Sequence, residues 1–137
     1  MLLVERHIFT DQHEYFKELD YLCFLSKNLY NSSIYTLRQK YKEDKVYMNW
    51  IAVNNKFKDE NQKDYRALPT RVAKQVLKSL DDNYKSFFAK VKNGDKKAKP
   101  PKYLHKTKGR FPVFYEKGAI SFKKKKGLAT VFDNYTF

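Results

Sequence analysis

The sequence predicts an α+β fold: a short N-terminal strand, an inserted bundle of two or three helices, and C-terminal antiparallel strands able to pair with the first. Three observations carry this expectation. Residues 2–9, LLVERHIF, are rich in β-branched and large apolar residues, as strands are. Two long stretches, roughly 12–42 and 70–91, carry apolar residues at the three-and-four spacing of an amphipathic helix. The last part, RFPVFYEKGAISFKKKKGLATVF, has short apolar runs broken at 116–118 and 123–127, which reads as strand, turn, strand, turn, strand.

In chain order, residues 1–10 form the first strand and 11–94 the helical insertion. Asp11 with Glu14 three residues later has capping-box spacing at the start of the first helix. Behind it Leu19, Leu22, Cys23, Ser26, Leu29, Tyr30, Ile34, Leu37 and Tyr41 make the apolar stripe, on which Cys23 reads as a small core residue. The segment 45–57, KVYMNWIAVNNKF, is a candidate second, shorter helix, and its polar flanks read as connectors. Pro69 suits a first helical turn, where its missing N–H costs nothing. Val72, Ala73, Val76, Leu77, Leu80, Tyr84, Phe87, Phe88 and Val91 then continue an apolar stripe to Gly94, a C-terminal cap. Off that stripe lie Arg71, Lys74, Lys78, Lys85 and Lys90, so this helix has a core side and a basic side. Residues 95–110 have no periodicity and two adjacent prolines, and they read as a basic linker. Residues 111–137 hold the remaining strands.

A chain of 137 residues is long enough for one domain with a real core. Eleven Tyr and eleven Phe argue against disorder over most of it. No run of about 18 apolar residues marks a membrane span, and the N-terminus is charged too early for a signal peptide. With Cys23 alone, neither a disulfide framework nor a Cys-rich zinc site can form within the chain, and a reducing cytoplasm is the expected compartment.

The net charge of +14 is concentrated: residues 90–126 hold fourteen Lys or Arg against Asp95 and Glu116, a local +12. So uneven a charge points to a polyanion partner, with a solvated tail as the plain alternative. Tyr103, Phe111, Phe114, Tyr115 and Phe122 are interleaved with the cations, and rings in that setting can stack on bases while ammonium groups follow phosphates. An anionic membrane fits less well, because no amphipathic helix accompanies the densest charge.

Catalytic patterns are missing. The sequence has no Gly-rich phosphate loop, no Cys–His pair at zinc spacing and no G-x-S-x-G elbow. Its adjacent carboxylates, Asp81 with Asp82 and Asp59 with Glu60, do not converge on one point as a metal-dependent nuclease requires. His7 and His13 stand without a partner at metal or triad spacing. The expectation is binding rather than catalysis, with no metal and no cofactor.

The helix core LPTRVAKQVLKSLDDNYKSFF, the joint KPPKY, then GRF and AISFKKKKG, together with LYNSSIYTLRQKY in the first helix, resemble the N-terminal region of the TnpB/OrfB family. These are transposon-encoded RNA-guided nucleases related to type V CRISPR effectors, and the similarity runs in consistent order from about residue 1 to about residue 128. The resemblance implies a non-catalytic lobe: a wedge-like β-barrel begun by the first strand and resumed after the lysine segment, here left partial, with a helical recognition domain inserted. It implies guide-RNA binding and contact with a short duplex DNA motif beside the target. Thr70, Arg71 and Lys74, with Tyr47 and Tyr115, would approach that duplex; long cations reach phosphates and guanine acceptors, and ordinary helix-surface charge is the other reading of Arg71 and Lys74. Lys78 extends that basic side. Lys96, Lys97, Lys99, Lys102, Lys106, Lys108 and Arg110, with Lys123, Lys124, Lys125 and Lys126, would contact nucleic-acid backbone. Tyr103 either stacks on a base or anchors the segment against a helix. The family's RuvC-like acidic triad and zinc ribbon have no counterpart in these residues, so DNA cleavage is not expected. The alternative function is a protein-interaction or relic fragment that docks on a full-length relative, or on itself, without specific nucleic-acid binding.

Overall fold

In the computed structural model the described residues are 3, 4 and 6–115, together with the backbone of three short strands further on. Helices dominate. α1 spans Phe16–Asp44, α2 Trp50–Asp59, α3 Lys63–Arg66 and α4 Thr70–Lys92. α4 is the central element, in contact with each of the other three. Its stripe explains why: Val72, Ala73 and Val76 are completely buried, and Leu77 and Leu80 nearly so. Against them sit Leu29 and Ile34 of α1, Val53 and Phe57 of α2, and Tyr65 of α3. Each large side chain removed from water here contributes about 1.5–3 kcal/mol. The stripe stops being core before the helix ends, since Phe88 and Val91 are exposed.

The ends of the helices are set locally. α2 begins where the Asn49 side chain accepts from the Ala52 amide at 2.9 Å, satisfying one orphan donor. α3 uses Gln62 in the same way, accepting from Tyr65 N at 2.7 Å. α4 closes in a Schellman motif, in which the Gly94 amide donates to Val91 O and the Asp95 amide to Lys90 O, both at 3.0 Å. Gly94 there has φ of +86°, a backbone conformation that glycine enters without steric cost.

The α+β expectation is overturned: the fold is helical, and the described residues form no barrel. Among residues 3, 4 and 6–10 there is no strand, and Leu3, Val4 and Ile8 are 80% exposed or more. A strand needs a neighbour for its backbone donors and acceptors, and no other described strand pairs with this segment. Among the described residues the strands Ile120–Lys123 (β1), Leu128–Val131 (β2) and Tyr135–Thr136 (β3) pair only with one another, antiparallel, in the order β1-β2-β3. Residues 111–115, expected as a strand, carry none. Three smaller expectations also change. The Asp11/Glu14 capping box does not form, because α1 starts at Phe16 behind Tyr15 with no side-chain cap. The polar connector expected at residues 58–64 runs into a short helix, α3, at Lys63. Pro69 is the N-cap residue of α4 rather than part of its first turn.

Candidate nucleic-acid interface

The lysine segment is not a loose linker. From Pro101 to Pro112 it is laid along α1 and held there by hydrogen bonds from α1 to its backbone. Arg38 Nη2 donates to Pro101 O at 3.0 Å. Asn31 makes a reciprocal pair with Leu104, its Nδ2 donating to the carbonyl at 3.0 Å and its Oδ1 accepting from the amide at 2.9 Å. Lys27 Nζ donates to Lys106 O. Ser26 Oγ donates to Pro112 O at 2.9 Å, and the Phe111 amide to Cys23 O at 3.2 Å. Arg110 reaches Asp20, as described below. The strap thus replaces the backbone partners a strand would have had with side chains of one helix.

Those side chains follow a rule. Asp20, Lys27, Asn31 and Arg38 are spaced seven, four and seven residues apart. At 3.6 residues per turn they fall within about 20° of one line down α1, over about 27 Å. This polar line is the signal that sequence reading missed. Apolar residues define the core face of α1, while a second, polar face holds the strap. The cost of burying Lys27, only 1% exposed, is offset by its acceptor on Lys106 and by the Phe24 ring 4.0 Å from its ammonium. Burial pushes its pKa down, and the nearby charge of Arg110 adds to that.

Between the anchors the chain turns sharply. His105 Nδ1 accepts from the amides of Thr107 at 3.2 Å and Lys108 at 3.0 Å, and the Gly109 amide returns to His105 O at 3.0 Å. A Cβ on Gly109 would lie 2.4 Å from that carbonyl oxygen, so only glycine closes the turn.

On the anchored backbone Lys102, Lys106 and Lys108 are exposed, and so are Lys96, Lys97 and Lys99 just ahead of it. None of the six is ion-paired among the described residues. Arg110 differs from them: it is bidentate to Asp20 and also donates to Thr107 O and Gly109 O. Tyr103 is 44% exposed and has the Arg38 guanidinium 4.7 Å from its ring centre, so one face is occupied. Tyr115 is half-buried against the core. Lys123 lies on β1, and Lys124, Lys125 and Lys126 lie outside the described residues.

The residues expected to meet duplex DNA are not gathered at one place. Thr70 and Arg71 are exposed on the first turn of α4, with Lys74 half-buried beside them. Lys74 is about 20 Å along the helix from Phe87, where the strap prolines approach. Lys78 lies with its ammonium 4.8 Å from the Trp50 ring. Tyr47 is bound into the fold: its hydroxyl donates to the buried Asp81 at 2.5 Å, and its ring meets Tyr84 and Phe88. Desolvation and then the Asp81 hydrogen bond push that phenol's pKa far above its ordinary value.

Two hollows adjoin the strap. The larger, about 550 Å³, is floored by Leu37, Tyr47, Tyr84, Phe87 and Phe88, and Arg38, Lys42 and Lys45 stand around it. The smaller, about 250 Å³, presents Asn83, Ser86, Lys90 and Lys99. They share Phe87, and the double proline is divided between them, Pro100 lining the larger and Pro101 the smaller.

Among the described residues, no group of three or more His, Cys, Asp or Glu side chains is placed to hold a metal ion. None of their helices is long and apolar enough to cross a membrane. In comparisons with known proteins, no family model, no curated protein and no solved structure matches this chain.

Proposed function

We propose that this chain is a nucleic-acid-binding module in which the strap follows the phosphate backbone. The observation that carries the reading is the fixed strap itself, anchored along α1 by hydrogen bonds to its backbone, with Lys102, Lys106 and Lys108 exposed on it, Lys96, Lys97 and Lys99 exposed just before it, and none of the six ion-paired among the described residues. A flexible tail of the same charge would lose conformational entropy on binding; this one has already lost it on folding. The resemblance to TnpB-type proteins supports RNA as the partner of the strap. It supports duplex DNA as the partner of Thr70, Arg71 and Lys74, which form a second and separate basic region. The function proposed is therefore that of a guide-RNA lobe without nuclease chemistry.

The test is salt-dependent binding of RNA, measured by anisotropy, for the wild type and for a variant with Lys96, Lys97, Lys99, Lys102, Lys106 and Lys108 changed to Gln. Each lysine–phosphate pairing removed should flatten the log–log salt slope by about 0.7–0.9. Equal slopes in the two proteins would overturn the reading. Sequencing of nucleic acid that co-purifies from the host then separates a single structured RNA from a mixture.

A second reading, docking on another protein, is favoured by the exposed Leu3, Val4 and Ile8. Salt-resistant self-association on a sizing column would support it.

A further inference from the structure

The larger hollow has an unusual chemical balance. Its floor is mostly aromatic, with Tyr41 also on its wall, and no carboxylate is among the described residues that line it. Tyr41 and Phe88 are 55% and 42% exposed, and the Lys45 ammonium lies 5.3 Å from the Tyr41 ring centre, so one face of that ring carries a cation and the other is left for a ligand. Phe88 is set against Tyr47 edge-on, 5.1 Å between centroids, and tilted against Phe87 at 5.5 Å. The hydroxyl of Tyr47 is turned to Asp81 rather than left for a ligand. The cations Arg38, Lys42 and Lys45 surround these rings. A wholly apolar ligand would gain nothing from those cations, and a simple anion would gain nothing from the rings. A planar aromatic group carrying negative charge uses both.

The smaller hollow is more polar than the larger. Ser86 offers a hydroxyl, and Lys90 and Lys99 offer ammonium groups, beside Asn83, whose amide donates to Tyr30 Oη at 3.1 Å. These are donors suited to a phosphate. Phe87 lines both hollows and the double proline is divided between them, so the two are neighbours, and the strap lysines continue from there.

Resting on the reading that the strap binds nucleic acid, we propose that the larger hollow takes an unpaired nucleobase and the smaller one an adjoining phosphate. The chain is then selective for single-stranded or looped nucleic acid over paired duplex at this place. A base in a duplex has both faces stacked on neighbours and cannot enter; an unpaired base can exchange water for Phe88 and Tyr41.

The experiment compares three labelled probes on the full chain at one salt concentration: a short single-stranded oligodeoxynucleotide, an abasic strand with the same number of phosphates, and the blunt duplex. The single strand should bind about tenfold tighter than its abasic counterpart, the scale of one base–aromatic stack. Phe88→Ala and Tyr41→Ala should each shrink that ratio and leave the salt slope unchanged, because every phosphate keeps its cation. Both rings are substantially exposed, and the thermal midpoint of each variant checks its fold. Lys90→Gln with Lys99→Gln should do the converse, flattening the slope with the ratio kept. Equal binding of natural and abasic strands by the wild type overturns the inference while leaving the strap reading intact. Absence of binding to all three probes overturns both. Displacement of the strand by a free nucleoside monophosphate at similar concentration would mean a mononucleotide site, and that also overturns it.

Discussion

Arg110 and Asp20 form a side-on bidentate pair across ninety residues of chain, with Nε to Oδ1 at 2.9 Å and Nη2 to Oδ2 at 3.1 Å. The pair fastens the strap where it leaves its turn, and the guanidinium also lies over the Phe24 ring. The hydrogen bond from Arg110 holds the Asp20 carboxyl below its ordinary value, against a smaller opposing effect of desolvation. A carboxylate whose folded pKa is lowered stabilises the fold at every pH above the unfolded value, about 3.9, and loses that contribution as pH falls through the folded value. Asp20→Asn should therefore melt below the wild type at neutral pH, with the two midpoints converging in acid. Thermal melts from neutral to strongly acid pH measure this; a constant gap would show that the carboxylate's charge is not what matters. For nucleic-acid binding the consequence is that Arg110 organises the strap and is not one of its free cations.

Gly109 sets a second prediction. Its position in the His105 turn leaves a Cβ no room, because the obstacles at 2.4 and 2.8 Å are backbone atoms of His105 that cannot move aside cheaply. Gly109→Ala should destabilise by more than about 1 kcal/mol, as substitutions do where the native backbone is incompatible with a side chain. Chemical denaturation gives the value, and an unchanged midpoint would mean the turn has an alternative path.

A third follows from Asp81. Its carboxylate is 3% exposed and accepts from Tyr47 at 2.5 Å and from Lys85 at 3.1 Å. Tyr47→Phe removes one partner from a buried charge and should cost about 1–3 kcal/mol. The sign of its alkaline dependence follows from the raised folded pKa: the contribution is whole below the unfolded phenol value, about 10, and declines above it. Burial raises Tyr65 and Tyr84 as well, so the wild type should lose stability as pH climbs past 10. Tyr47→Phe should lose less over the same interval. Equal losses would place the alkaline sensitivity in the other two tyrosines.

The helices were legible because their apolar spacing is a property of single segments. Val72 to Tyr84 mark the buried face of α4 directly, and Leu29, Ile34 and Leu37 do so for α1. What was not legible depends on pairing between segments. LLVERHIF has strand composition, but composition does not supply a neighbouring strand. KPPKYLHKTKGR has the composition of disorder, yet Asn31 and Arg38 give it an ordered path. The partners of that path sit on a helix far off in sequence and are recognisable only as a polar line once the helix is assumed. The lysines at 96–108 are the exposed charge that their composition indicates, whereas Arg110, chosen with them, and Tyr47, chosen on the resemblance, are taken up by Asp20 and Asp81. The aromatic hollow combines residues of α1, the following loop, α4 and the strap, and no single segment announces it.

The last prediction connects anchoring to binding. Asn31 holds both backbone groups of Leu104 at once, and Leu104 is half-buried against the core. Asn31→Ala leaves that amide and carbonyl to find water, at a cost of about 1–3 kcal/mol, and frees the strap midway between Arg38 and Lys27. Trypsin should then cut faster after Lys102 and Lys106, because cleavage requires a local opening that the anchors oppose. On the proposed function, affinity for RNA should fall as the freed segment regains entropy it must lose again on binding. The salt slope should stay as it was, since every lysine is still present and the count of neutralised phosphates is unchanged. A loss of affinity with a flattened slope would instead mean that Asn31 positions particular lysines onto particular phosphates. Faster proteolysis with no change in affinity would mean that the strap binds nucleic acid equally well without its anchors, and that their role ends with the fold.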